Sequence, residues 1–435
     1  MFTRLRLRNF KSYRDAILVL GPFTLLVGTN ASGKSNVRDA FRFLHGIGRG
    51  YKLADIFGGK SSEGSRIWTG IRGGPRAVTF RDETRFTLDV DMNFQQEDQT
   101  PCSVTYSIEV APNANAGAPW ITQERLSADS ESANGLQELL VHTTLEELPE
   151  SHAAHASVEY EVRNPSDPPE SVTLHECNVE YSALTQLVEK SAFIQDRGVI
   201  RQTLDMLRGS RFIEFVPDEM RQPSFPGQAL GDRGENLSSV LKAICDDPQQ
   251  KQTLLRWIQT LTPMDAVDFE FPTDPIGKVL VTLLEANGQR TTAYSASDGT
   301  LRFLGMLAAM LGPDPASFYF FEEIENGIHS NRLYLLIELI EKQTAKRNIQ
   351  VLATTHSPQL LRFVSPASLA HTTLTYRLED QPDTRMKRML DIPEARDVIQ
   401  EDDIAHLYES GWFENTVAFI ANETASAEDN QEPSA

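Results

Sequence analysis

Three cysteines, Cys102, Cys177 and Cys245, are all that this 435-residue chain holds. They are far apart and none stands at a Cys-x-x-Cys spacing, which argues against a disulfide framework or a structural zinc site. They read as free thiols in a reducing compartment. No apolar run reaches the 18 or more residues that a membrane span needs. The first six residues, Met1 to Arg6, alternate like a strand and lack the apolar core of a signal peptide, so the cytoplasm is the expected location. Positive charge is also short: 41 Lys and Arg face 61 Asp and Glu, a formal net charge of −20. Taken alone, that balance argues against a protein that coats nucleic acid. There is no internal repeat, and no sustained heptad that would make the middle of the chain a long coiled coil.

What is present is enough hydrophobic sequence, 40%, for a substantial core without disulfide staples. The length allows one large domain or two to three ordinary ones. Charge is unevenly spread. Residues 1–80 hold fourteen Lys/Arg against four Asp/Glu, and residues 121–190 hold three against fourteen. A basic N-terminal region suits a polyphosphate ligand. DNA is a second ligand it suits, and a merely solvated surface explains the excess equally well.

Residues 2–9 and 16–19 read as short strands, and Phe23-Thr24-Leu25-Leu26-Val27 as a buried strand that stops at Gly28. Helical periodicity resumes near residue 34 with Val37, Phe41 and Leu44 on one face. Residues 57–76 read as Gly-rich loop and 78–110 as strands, while 111–190 are irregular, with strands, loops and one or two short helices. Regular patterns return from about 195: a strand over 212–216, a helix over 236–261, strands over 267–271 and 279–285, and a helix over 300–311. An apolar run at 317–321, a helix over 331–343 and a strand over 350–354 follow. The last fifteen residues are small, polar and acidic, and are expected to be disordered.

Four short segments carry chemistry. Gly28-Thr29-Asn30-Ala31-Ser32-Gly33-Lys34-Ser35 fits G-x-x-x-x-G-K-[ST] between a strand and a helix. Its glycines let backbone N–H groups curl around phosphate oxygens, and the helix that follows turns its positive end toward them. Lys34 can reach the β- and γ-phosphates, and Ser35 can bind Mg²⁺. Phe318-Tyr319-Phe320-Phe321-Glu322-Glu323 is an apolar strand ending in two carboxylates. Beside a phosphate loop, Glu322 suits the metal and Glu323 the attacking water; otherwise they are ordinary surface glutamates. Ala353-Thr354-Thr355-His356-Ser357-Pro358 puts a histidine at a strand end, where it can bond a γ-phosphate oxygen, hold the attacking water, or simply sit in a loop beside a helix cap. Ser295-Ala296-Ser297-Asp298-Gly299-Thr300 precedes a helix, where Ser297 and the Gly299 backbone can bind phosphate or merely cap it.

The order of these segments resembles that of the ABC-type ATPase heads of RecF-like, SMC-like and OLD-like proteins: Walker A, Ser-x-Gly, Glu-Glu after a strand, then a switch histidine. The resemblance is to the bacterial AAA family ATPases of that clan. Asn9-Phe10-Lys11-Ser12, Gly28 to Asn36, Ser297 to Leu304, Glu322 to His329 and Thr354 to Pro358 carry it, over roughly residues 1–45 and 210–365. It implies an α/β P-loop NTPase head with a mixed central sheet and an inserted α+β lid or arm. The corresponding division is an N-terminal lobe over 1–96, an insertion over 97–195, a C-terminal lobe over 196–420 and an acidic tail over 421–435.

The resemblance further implies ATP and Mg²⁺, with Gly28, Asn30, Ala31, Ser32, Gly33, Lys34, Ser35, Asn36, Ser297 and Gly299 on the nucleotide. Ser35 and Glu322 would hold the metal, and Lys34, Glu323 and His356 would catalyse. It implies a head-to-tail homodimer with ATP between Walker A of one copy and Ser297/Gly299 of the other. Glu322 departs from the usual Asp of Walker B by one methylene, and Ile324 stands where Pro is common. Gln95 and Gln96 are candidates for the Q-loop on position alone. Too few residues follow Ser357 for the Toprim nuclease of OLD-like members. The expectation is therefore an ATPase that drives or gates a separately encoded Toprim-like or other effector on DNA, in anti-phage defence or repair. A nucleotide-sensing scaffold with little turnover and a direct DNA-binding clamp are the alternatives.

Overall fold

The computed structural model describes residues 1–62, 65–96, 99–112, 118–130, 137–142, 157–163, 172–190, 197–261, 266–379 and 381–429. Contacts gather the chain into two compact units. The first takes Met1–Gly21, Gly28–Ser210 and Thr373–Lys387; the second takes Pro22–Val27, Arg211–Thr372 and Arg388–Ala435.

The first unit is built on an eight-stranded sheet in which every pairing is antiparallel. Its strands Phe2–Phe10, Tyr13–Val19, Phe86–Gln95 and Pro101–Ala111 alternate buried and open positions, the pattern of a sheet with one covered face. The strands Trp120–Ser130, Gln137–His142, Ser157–Arg163 and Val172–Asn178 extend this same sheet. The stretch that reads as irregular in sequence thus continues a ladder begun at the N-terminus. The parts of it that read least regularly, such as residues 113–117 and 164–170, lie outside the described residues.

Helix Lys34–Gly48 covers this unit's core. It buries the expected Val37, Phe41 and Leu44, and also Phe43 and Ile47. Phe41 meets Phe2 edge-on at 5.5 Å, and Phe43 meets Phe86 at 5.3 Å. Each such ring contributes on the order of 1.5–3 kcal/mol by leaving water. A short helix, Leu53–Gly58, runs into the Gly-rich stretch read as loop, which also holds the paired strands Lys60–Ser62 and Ser65–Trp68.

The second unit places strand Phe23–Val27 beside Gln350–Thr355, and that beside Phe318–Phe321, both pairings parallel. All fifteen residues of these strands are buried, as strands covered on both faces must be. Phe320 stacks near Phe212, and Phe321 lies tilted against Phe215. Helix Asp298–Leu311 is apolar almost all round and correspondingly buried from Leu301 on, apart from Arg302. Helix Leu333–Arg347 ends in Asn348 at φ 51°, and Arg347 donates to the carbonyls of Met310 and Gly312 at 3.0 and 3.1 Å. The single helix expected over 236–261 is two, Leu237–Cys245 and Pro248–Leu261, because Pro248 opens a new first turn. At the C-terminus, helix Trp412–Asp429 takes in much of the segment expected to be disordered, and 430–435 lie outside the described residues. Among the described residues, no helix is long and apolar enough to cross a membrane.

Candidate functional site

In the first unit, the turn between Gly28 and Lys34 is fixed by its own neighbours. A Cβ on Gly28 would lie 2.4 Å from the Thr375 carbonyl oxygen and 2.6 Å from Ser32 Oγ. No side chain fits there, so the backbone is packed as closely as it can be. Ala31 and Gly33 adopt left-handed φ of 63° and 101°, which curls the loop. The curl is held from two sides. Ser32 Oγ and Thr375 Oγ1 share a 2.8 Å hydrogen bond. Tyr13 donates to the Gly33 carbonyl at 3.0 Å. Burial raises the pKa of the Tyr13 hydroxyl well above its ordinary value, so it keeps its proton and stays a donor.

Lys34 folds back over the loop, 8% exposed, and donates to the carbonyls of Gly28 and, at 2.9 Å, Thr29. Asn30 and Ala31 stand exposed at the tip. Asn36 donates to Ser12 Oγ at 2.7 Å, and Thr384 donates to the same oxygen at 2.8 Å. Beneath the first helical turn, the carboxylate of Asp39 pairs with Lys11 and, at 3.2 Å, with Arg72. Arg72 also donates to the Ser35 carbonyl. Burial lowers the affinity of Lys11 for its proton, and Asp39 pulls the other way. Lys11, Ser12, Asp39, Arg72, Thr375 and Thr384 support the loop. Only Lys11 and Ser12 had a signal in the sequence, through Asn9-Phe10-Lys11-Ser12; Thr375 and Thr384 are too remote along the chain to have given one.

The carboxylates lie in the second unit, beyond Phe321. Glu323 has φ 47°, a conformation that costs a non-glycine residue about 1–3 kcal/mol and persists only where neighbours enforce it. Thr354 does so: its Oγ1 accepts from the Glu323 N–H at 3.0 Å and its carbonyl from the Ile324 N–H at 3.2 Å. Asn326 donates to Glu323 Oε2 at 2.5 Å. His356 Nδ1 is 4.0 Å from Glu323 Oε1 and 3.4 Å from Glu325 Oε1. The Glu325 Oε1 also accepts the His356 backbone N–H at 3.0 Å. Glu325 is therefore a residue of this cluster that the sequence reading passed over, although Glu-Glu-x-Glu spacing marks it.

Ser297 caps helix Asp298–Leu311, accepting from the Thr300 N–H at 3.2 Å. Arg221 spans the turn before it, donating to the Ala296 carbonyl at 3.2 Å and to Asp298 at 2.5 Å. A Cβ on Gly299 would lie 2.0 Å from the Gly327 carbonyl oxygen, so the start of this helix rests directly on the loop that follows the carboxylates. Gln95 ends its strand, and its carbonyl accepts from Gln202 at 3.1 Å; Gln96 closes a turn with Thr100. Among the described residues, no three His, Cys, Asp or Glu form a metal cage. Mg²⁺ does not need one, since it is commonly held by one or two protein oxygens together with substrate phosphates. Ser35 carries a hydroxyl and Glu322 a carboxylate, each of the oxygen-donor type that Mg²⁺ takes.

A family model described as "AAA domain, putative AbiEii toxin, Type IV TA system" matches residues 23–362. No curated protein matches the chain. Among solved structures, the SmcHead bound to the C-winged helix domain of ScpA is 14% identical, with a TM-score of 0.47 over 89% of this chain and 97% of that one. The SMC head domain from Thermotoga maritima is 12% identical, with a TM-score of 0.39 over 89% and 98%. The Smc head domain with an extended coiled coil, bound to the C-terminal domain of ScpA derived from Pyrococcus furiosus, is 15% identical, with a TM-score of 0.40 over 92% and 98%. Likeness this distant carries nothing about what the chain does.

Proposed function

The chain belongs to that AAA-domain family, and from this premise we propose that it is an ATPase that closes in pairs around ATP and so gates an effector acting on DNA. One observation carries the reading. Three adjacent parallel strands end at Val27, Phe321 and Thr355, and the chain runs on from them into Gly28, Glu322 and His356. In open α/β sheets, ligands bind beyond such strand ends.

Lys34 leaves the loop carbonyls for phosphate oxygens when ATP binds, and Gly28 to Asn36 cradle the phosphates. Ser35 and Glu322 hold Mg²⁺, which when bound neutralises charge between the phosphates. Glu323 orients and polarises the attacking water, with His356 beside it. Ser297 and the Gly299 backbone of a second copy complete the site from the other side. ATP then binds the closed pair more tightly than the open one, and hydrolysis removes the difference. That difference is what an effector would read. A separately encoded Toprim-like protein suits the role, in anti-phage defence or repair.

Sedimentation with ATP and Mg²⁺ tests this. Wild type should cycle between monomer and dimer, while Glu323→Gln should accumulate as dimer with phosphate release abolished. A Glu323→Gln protein that turns over normally ends the proposal. Dimer without turnover in wild type would favour the sensing scaffold, for which the longer arm of Glu322 is the motive.

A further inference from the structure

Glu325 is more than nine-tenths buried, and its two oxygens are used unequally. Oε1 accepts the His356 backbone N–H at 3.0 Å and lies 3.4 Å from ring Nδ1. Oε2 is buried with no hydrogen-bond partner. A buried carboxylate oxygen left unpaired costs the fold stability, so this side chain serves something besides stability. Its backbone position is not free to drift. Thr354, two residues before His356, clamps Glu323 and Ile324, and the Glu325 carbonyl accepts the Ile328 N–H at 2.9 Å. The loop and the histidine are thus anchored to one strand end.

The surroundings of the ring decide where its proton sits. Two carboxylate oxygens lie near Nδ1, Glu325 Oε1 at 3.4 Å and Glu323 Oε1 at 4.0 Å. A lone pair pointed at two anions is repelled, whereas an N–H pointed at them is attracted. The partner of one ring nitrogen sets the tautomer and so the role of the other. We propose that Glu325 is a positioning residue that keeps the proton of neutral His356 on Nδ1, leaving Nε2 as a hydrogen-bond acceptor. A ring in that state accepts from a water molecule and cannot donate to a phosphate oxygen. Of the two roles open to a switch histidine, it selects holding the attacking water. The catalytic consequence rests on the ATPase reading; the tautomer does not.

Two measurements separate these layers. Nitrogen-15 NMR of histidine-labelled protein without nucleotide, with the signal assigned through His356→Gln, should show the Nδ1–H tautomer in wild type and a mixture in Glu325→Gln. Single-turnover phosphate release should fall about tenfold to a hundredfold in Glu325→Gln, the usual effect of removing a partner that orients a functional histidine. ATP affinity should stay unchanged. Adding Glu325→Gln to His356→Gln should cost nothing further, because the two act as one unit. An Nε2–H tautomer in wild type overturns the proposal, and so does additivity of the two substitutions. Wild type that shows the Nδ1–H tautomer but releases no phosphate would instead overturn the ATPase reading and leave the positioning role intact.

Discussion

The phosphate loop in one unit and the acidic strand end in the other are built to different standards of closure. Lys34 and Ser32 are 8% and 4% exposed, and their loop is pinned on both sides of its exposed tip: at Ser32 and Gly33 by Thr375 and Tyr13, and at Gly28 by packing that leaves no room for a Cβ. Glu323 and His356 are 44% and 43% exposed, and Asp298, in the first turn of the helix capped by Ser297, is 62% exposed. Their backbones are fixed while their side chains stand open. A pre-shaped cradle costs little to occupy, since its ordering is already done when the protein folds. An open cluster on a rigid backbone costs little to cover, provided that what covers it is complementary. The first arrangement suits binding; the second suits a face completed by something else.

The largest test of this contrast removes Lys34. Lys34→Ala should abolish detectable ATP binding by calorimetry while leaving the melting temperature of the nucleotide-free protein within a few degrees. Glu323→Gln should do the reverse, keeping binding and cutting phosphate release by at least about a hundredfold. Binding lost in both would show that the two regions do not divide the work. Next come the glycines. Gly28→Ala drives a methyl into backbone oxygen and should cost about 1–3 kcal/mol in denaturant unfolding, along with nucleotide affinity. Ser297→Ala loses only a cap and should cost about 1 kcal/mol of stability. If it nevertheless removes the ATP-dependent dimer, the open cluster is an interface. For DNA, steep salt dependence of duplex binding would favour a clamp, and no binding at low salt would remove that alternative.

The smallest effect concerns acidity. Glu124 is fully buried in the first unit, and desolvation raises its pKa against hydrogen bonds from Ser182, Tyr106 and the Ala183 N–H. Its folded value stands above its unfolded one, so its contribution is complete below the ordinary carboxylate range and is lost as pH rises from there through the raised value. Glu124→Gln should flatten that slope in melts taken from acid to neutral pH.

The sequence announced the fold best where burial is complete. Strand Phe23–Val27 is bounded as its apolar run suggests, and Phe318–Phe321 and Gln350–Thr355 agree to within a residue. An unbroken apolar run has one solution inside a sheet, whereas a half-exposed strand has several. That is why Trp120–Ser130, with Glu124 and Arg125 in its middle, hid its place in the eight-stranded sheet. The loop motif was legible because its chemistry is local. The pairing of Glu325 with His356 was not, since 31 residues separate them and only the parallel register brings them together.

Gly299 and Gly327 meet backbone to backbone, with no side chain between them to yield. Such a contact has little room to give, because main chain cannot rotate out of the way as a rotamer can. A side chain at Gly299 would drive the Glu325–Ile328 loop and the first turn of helix Asp298–Leu311 apart. The loop that carries the carboxylates and the helix that Ser297 caps therefore share one main-chain contact.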